Sequence, residues 1–256
     1  FKDKFTENRS EDQWLRYLWE EAKDGAKEAG FNLPEFDKFW KNGFQEVLSP
    51  KKQTILLEEF IKDPIKNPIS TPSGKIEIFS ETIESFNYND CPGHPVWLEQ
   101  EEWLGSSLTK QYPLQLISGQ PHNRLHSQLD NGSESQKDKI SGREAVKIHP
   151  QDALARKLKN GDIVEIFNKR GKCLAGVIVS KEVMQGVIFL PVGAWYDPID
   201  DGGYCVHGNP NVLTADIGTS SLSQGPSAHS TLVEVKKFVK ELPPVNIFQK
   251  PIIVNK

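Results

Sequence analysis

From Tyr112 onward the chain breaks into short apolar runs separated by turn signals, and that rhythm restricts the fold more than any other feature. The runs fall at 113–118, 145–148, 162–168, 172–180, 186–190 and 229–236, lengths that suit strands. Asn168-Lys169-Arg170-Gly171 reads as a hairpin turn between two of them. One helix is expected among the strands, with Pro150 at its first position and Gly161 just past its end. Strands this short and this numerous, with one or two helices, predict a small closed or nearly closed β-barrel.

The sequence before Tyr112 has another texture. Residues 10–27 read as a helix, because Ser10 and Gln13 have capping-box spacing and Trp14, Leu18, Ala22 and Ala26 recur every four residues. A second short helix is expected from Asp37, carrying Phe39 and Trp40 and ending near Gly43. Residues 53–62 fit neither the helical nor the strand period, and 63–72 read as a Pro-rich loop. Thr71-Pro72-Ser73-Gly74 makes a turn before an expected strand, Lys75 to Ser80. Pro92, Gly93 and Pro95 then suggest an extended linker ending near Gly105. Within the barrel portion, the polar segment 130–142 is expected to be a mobile surface loop.

A chain of 256 residues can bury one large core or two smaller ones. Its net charge of -4 argues against a general nucleic-acid or anionic-membrane surface. No apolar run approaches the roughly 20 residues of a spanning helix. Cys91, Cys173 and Cys205 are too few and too scattered for a disulfide framework. The chain opens Phe1-Lys2-Asp3-Lys4 and has Met184 as its only methionine, which reads as a piece of a longer protein.

Three polar loops could carry chemistry. The first, Ser118 to Gln128, packs two histidines, an arginine, two serines and two glutamines around a Gly-Gln-Pro turn at the end of a strand. Arg124 has the fork geometry for a phosphate, while Ser118, Gln120, Ser127 and Gln128 could hydrogen-bond a heterocycle or ribose. A polar turn satisfying its own carbonyls would have the same composition. The second loop is Gly208 to Leu213 and the third Gly218 to Gly225. Their glycines would let backbone N–H groups approach a ligand closely, and three such loops in one small barrel point to a shared site.

Several motifs occur in one order: Arg124-Leu125-His126-Ser127-Gln128, Gly142-Arg143-Glu144, Phe167 to Gly171, Gly193 to Pro198, Asn211 to Thr214, Asp216 to Ser220, and Gln224-Gly225. With Thr71 to Ile78 and Cys91 to Pro95 upstream, the chain resembles the C-terminal part of the dimethyl sulfoxide reductase family of molybdenum enzymes from about Thr71 to Phe238. Residues 1–70 match only loosely. The resemblance is strongest to the trimethylamine N-oxide, dimethyl sulfoxide and biotin sulfoxide reductases. It implies a mainly β fold of mixed class, with a double-psi β-barrel over 111–256. Residues 1–110 would be a helical and irregular segment of a larger, incomplete catalytic domain.

The resemblance also implies bis-molybdopterin guanine dinucleotide with molybdenum as cofactor of the intact protein, and its absence from this piece alone. Ser118, Gly119, Gln120, Pro121, Arg124, His126, Ser127 and Gln128 would line one dinucleotide, joined by Asn211, Gln224 and Gly225; Gln120 stands where many members carry His. No catalytic or metal-ligating residue is expected here, because those of the family belong to its N-terminal part. The implied partners are an N-oxide or S-oxide, the remainder of the parent chain, and an electron donor such as a cytochrome. The implied setting is bacterial anaerobic respiration, periplasmic or alternatively cytoplasmic.

Three other readings compete. Asp130-Asn131-Gly132-Ser133 and Asp216-Ile217-Gly218-Thr219 have the Asp-x-Gly-Ser/Thr form of aspartic protease turns, but Asp130 has no apolar strand after it. Cys91-x-x-His94 and Cys205-x-His207 each offer two zinc ligands where a structural site needs four. A stand-alone double-psi barrel adaptor, binding peptide or protein partners, would have no need of the three polar loops.

Overall fold

The computed structural model of the protein describes residues 1–47, 54–199 and 204–250. They form two compact units, Phe1–Ile76 and Glu77–Lys256.

The first unit is helical: α1 (Lys2–Thr6), α2 (Glu11–Glu28), α3 (Phe36–Asn42) and α4 (Glu58–Lys62). Ser10 and Gln13 form the expected capping box, and Gly43 closes α3 with a left-handed φ of 78°. The face of α2 that turns inward differs from the expected one: Trp14, Leu15, Trp19 and Ala26 are partly covered, whereas Leu18 is exposed. A strict four-residue repeat drifts about 40° round the helix at each step, so Trp19 takes the place assigned to Leu18. Trp19 stacks on Phe39 with ring centroids 3.8 Å apart and donates to the Pro34 carbonyl at 2.9 Å. The undecided segment 53–62 contains α4; residue 53 lies outside the described residues. Among the described residues Phe36 is the unit's one buried hydrophobic side chain. Residues 1–76 expressed alone should therefore melt without a cooperative transition, which differential scanning calorimetry would check.

The second unit opens irregularly. Lys75 to Ser80 is not a strand, since Ile78 and Phe79 are exposed and, among the described residues, no strand pairs with the segment. Instead Ser80 caps the short helix α5 (Glu81–Glu84), and its N–H donates to the Gly93 carbonyl at 2.6 Å. The extended connection that follows is fastened by Glu102, which takes two hydrogen bonds from the Arg170 guanidinium at 2.5 and 2.8 Å and one from the Leu232 N–H at 2.9 Å. Burial works against that carboxylate, but these donors outweigh it and hold it below its ordinary range.

The barrel consists of β1 (Leu114–Ile117), β2 (Ala145–Ile148), β3 (Ile163–Phe167), β4 (Lys172–Val179), β5 (Val187–Phe189) and β7 (Leu232–Lys237), with β6 (Tyr204–Cys205) attached outside the ring. The order β2-β5-β1-β7-β3-β4 closes through a further β2–β4 pairing, so six strands form a ring with no free edge. Two pairings in the ring, β1–β5 and β2–β4, are parallel. This is the double-psi β-barrel. Alternation fills its interior: Leu114 and Leu116 from β1, Cys173, Ala175 and Val177 from β4, and Val233 and Val235 from β7 belong to one buried cluster. The opposite face of β4 is covered too, by Leu174 against Ile163 and Val206.

Two helices complete the barrel, α6 (Ser133–Lys137) and α7 (Pro150–Ala155). The latter ends well before Gly161. Lys157 adopts a left-handed φ of 56°, and Asp162 accepts from the Lys159 N–H at 3.0 Å, starting the turn into β3 early. The strand β6 had no signal in the sequence, because a two-residue strand shows no period. The hairpin Asn168–Gly171 forms as expected, with the Asn168 N–H on the Gly171 carbonyl at 3.1 Å and the Asn168 side chain donating to the Leu213 and Leu232 carbonyls.

Candidate functional site

Loop 118–128 leaves the end of β1 and is built as an exposed arc between two buried anchors. Residues 125–129 are all exposed, whereas the side chains of Arg124 and Asp130 are completely buried. The arc is a tight turn, with the Gln128 N–H on the Leu125 carbonyl at 2.8 Å. His126 and Leu129 take left-handed φ values of 48° and 62°. Few side chains adopt such angles without support from their surroundings.

That support comes from the turn Pro191–Tyr196 after β5. Trp195 donates from its indole to the Ser127 carbonyl at 2.7 Å, and its N–H goes to Asp130 at 3.0 Å. The Val192 carbonyl accepts from Arg124 at 2.8 Å. Closer in, Gln120 turns its amide back onto the Arg124 carbonyl at 2.6 Å.

Beneath the arc lies a buried cluster of four charges. Glu144 accepts from Arg124 at 2.8 Å and from Lys139 at 3.0 Å, and Asp130 accepts from Lys139 at 2.8 Å. Ser135 bridges the two halves, receiving from Arg124 at 3.1 Å and donating to Asp130 at 3.2 Å. Two cations and two carboxylates balance, which is the condition under which buried charge is tolerated. Burial opposes the charged form of Asp130, yet Lys139 and the Trp195 N–H together hold its carboxyl below the ordinary range.

This cluster overturns the expectation of a mobile loop at 130–142. The segment is ordered because three of its polar side chains meet partners inside the protein: Asp130 and Ser135 are buried, α6 spans its middle, and the Lys139 side chain is 1% exposed. Sequence reasoning missed these residues because it sought order only in apolar content. The available signal was the near balance of acids and bases between Arg124 and Glu144, closed by Gly142-Arg143-Glu144.

His207 faces the same cluster. Its Nδ1 lies 3.0 Å from the Trp195 carbonyl and 3.7 Å from Asp130, and its ring meets Phe248 edge-on. Burial, followed by the nearby Lys139 ammonium, lowers its pKa, so the fold holds the neutral ring. The unfolded chain therefore takes up a proton near the ordinary histidine value before the folded chain does. Stability is full above about pH 6.5 and falls as pH drops below it, by at most about 1.4 kcal/mol per pH unit for one proton. The urea midpoint should fall between pH 7.5 and 5.5 in the wild type. A His207→Gln variant should show a shallower slope, and an unchanged slope would remove His207 from that role.

The second loop reaches this cluster through Gly208, whose φ is 91° and whose added Cβ would lie 2.6 Å from Glu144 Cβ. Asn211 is exposed, in a turn where the Asn209 side chain accepts from its N–H at 2.8 Å. The third loop closes on itself. Thr219 donates to the Gly225 carbonyl at 2.9 Å, and Gln224 to the Ser220 carbonyl at 3.0 Å.

Two clefts border the third and the first loop, and residues 208–213 line neither. One, of about 870 Å³, is lined by Gln100, Glu102, Arg170, Gly218, Thr219 and His229 among others. The other, of about 670 Å³, is lined by Gln120, Pro121, Asn123, Lys147 and Phe189 among others. The first loop lines the smaller cleft and reaches the larger one through a single hydrogen bond. Gln120 and Pro121 line the smaller cleft, while the Ser118 N–H donates to Nδ1 of His229, which lines the larger one.

The Ser118 hydroxyl is buried without a hydrogen-bond partner, and Gly119 has Phe189 2.9 Å from where a Cβ would sit. An unpaired buried hydroxyl beside a glycine packed closely on Phe189 suits a polar ligand brought close to the backbone. Among the described residues no three His, Cys, Asp or Glu side chains converge as a metal site, and no helix is long and apolar enough to cross a membrane.

The Molydopterin dinucleotide binding domain family matches residues 114–232, the stretch that holds all three loops. The chain is 44% identical over 257 residues to the trimethylamine-N-oxide reductase of Haemophilus influenzae, covering 98% of this chain and 31% of the relative. It is 39% identical over 251 residues to the dimethyl sulfoxide/trimethylamine N-oxide reductase of Cereibacter sphaeroides, covering 96% of this chain and 30% of that one. Acetylene hydratase from Pelobacter acetylenicus is similar in fold, with a TM-score of 0.55 at 21% identity over 69% of this chain and 25% of that chain. The chain thus spans less than a third of the length of the curated relatives it matches.

Proposed function

Starting from a chain that belongs to the dimethyl sulfoxide reductase family of molybdopterin enzymes and carries its dinucleotide-binding barrel, we propose that residues 111–256 bind and cover bis-molybdopterin guanine dinucleotide. Residues 1–110 would contribute to a larger catalytic domain. The observation that carries this reading is the arc 125–129, polar at His126, Ser127 and Gln128, exposed, and fixed at both ends by buried side chains. A surface held rigidly and left unpaired is what a large polar ligand requires.

Ser118, Gly119, Gln120 and Pro121 would present the strand end to the ligand, with the free Ser118 hydroxyl as a donor or acceptor. His126, Ser127 and Gln128 would meet it from the arc. Asn211, Gln224 and Gly225 would meet it from the other two loops. Arg124 enters through the backbone it holds, since Glu144, Ser135 and the Val192 carbonyl occupy both terminal nitrogens of its guanidinium.

The whole protein would reduce an N-oxide or S-oxide. The N–O or S–O bond breaks, two electrons reduce the substrate, and the oxygen leaves as water with two protons. Bound molybdenum would supply the redox step, and this chain would supply binding, orientation and exclusion of water. Electrons would come from a cytochrome or a comparable reductant, in the periplasm of a bacterium.

The test is elemental analysis of the whole protein, purified from a host that makes the cofactor, together with GMP released on acid hydrolysis. Close to one molybdenum and two GMP per chain are expected. Neither being present would overturn the reading.

A further inference from the structure

We propose that Lys139, Asp130, Glu144 and Arg124 are positioning residues for the dinucleotide: a buried, charge-balanced clamp that sets the arc 125–129 at the height and angle the ligand meets. This rests on the dinucleotide reading above and goes a step deeper, from the exposed residues to those that hold them. None of the four need touch the ligand. All four side chains are at most 4% exposed, and their polar atoms face one another.

The clamp ties together the arc, α6 and the start of β2, and through them the distant turn 191–196. Arg124 starts the arc and Asp130 ends it. Lys139 follows α6, and Glu144 precedes β2, where its N–H and C=O bond to the His207 carbonyl and the Gly176 N–H. Lys139 is the shared member, reaching Asp130 at 2.8 Å and Glu144 at 3.0 Å. Through Asp130 and Arg124 the clamp also holds Trp195 and Val192, and Trp195 in turn supports the Ser127 carbonyl. Both ends and the middle of the arc therefore hang on one set of ion pairs.

Such a clamp acts on ligand geometry. Outer partners of this kind, which orient the groups that bind, carry about ten- to a hundredfold in affinity where they support metal ligands. A clamp that only stabilised the fold would shift the ligand-free and ligand-bound proteins equally, because stability and affinity separate by linkage.

The test compares the whole protein with and without cofactor, the latter from a host unable to make it. In Lys139→Met, the half-time for loss of guanine dinucleotide on dialysis, followed as protein-bound GMP, should shorten about tenfold. Lys139→Arg should restore it to within about twofold. Ser135→Ala removes the bridging hydroxyl without stranding a charge, and should shorten the half-time about threefold. It decides the matter alone if Lys139→Met does not fold. Unchanged half-times in the folded variants, with melting temperatures lowered equally in both forms, would overturn the clamp. A wild type that holds no GMP would instead overturn the dinucleotide reading itself.

Discussion

Gly193→Ala is expected to destabilise the chain by about 4 kcal/mol, among the largest effects of any single substitution in the barrel. A Cβ on Gly193 would lie 1.7 Å from the His126 carbonyl oxygen and 3.1 Å from Nε of Arg124, and the backbone φ there is 96°. The first contact is with backbone, which no rotamer change relieves, so the turn 191–196 would have to lift off the arc. Lifting it would separate Val192 from Arg124 and Trp195 from both Asp130 and Ser127. Gly161 is the control. Its φ is 84°, but nothing lies within 4 Å of the site of a Cβ, so Gly161→Ala should cost only about 1 kcal/mol. Urea titration of both variants separates the two terms. Equal costs would mean that left-handed strain accounts for Gly193 and that the close approach to the arc contributes nothing.

The difference between these glycines shows what could be read in the sequence. Strands β1 to β5 and β7 announce themselves as short apolar runs between turn signals, whether one face is buried, as at Leu114 and Leu116, or both, as along β3 and β4, and such runs survive in a linear reading. Helix α2 was legible at its start, where Ser10 and Gln13 cap locally, and misread along its face, where the four-residue repeat put Leu18 for Trp19. The loops that form the candidate site were legible from their glycines and amides.

What could not be read is whatever depends on pairs distant in the chain. Tyr204–Cys205 becomes a strand only because β4 lies beside it. The four charges under the arc look, residue by residue, like a solvated surface. They become an interior only when Glu144 comes back past Arg124 after 20 intervening steps of chain. Charge balance is a property of the assembled set, and no periodicity encodes it.

That balance makes Glu144→Ala the second large effect, also expected at about 4 kcal/mol. The variant leaves Arg124 and Lys139 buried beside each other with Asp130 as their only carboxylate within the cluster. Removing one member of a buried set costs more than the set contributes, because the remaining charges cannot regain water. The double variant Lys139→Met/Glu144→Met tests this reasoning directly. It restores neutrality with one cation and one carboxylate, Arg124 and Asp130, whose closest ion-pair approach is 3.6 Å, and fills the space with flexible apolar side chains. It should be more stable than Glu144→Met alone by about 2 kcal/mol, a non-additivity that only coupled sites show. Urea midpoints of the wild type, Lys139→Met, Glu144→Met and the double variant give the coupling. A double variant as unstable as the two single changes summed would mean that Lys139 and Glu144 act independently. The arc would then rest on Arg124 and Asp130 alone.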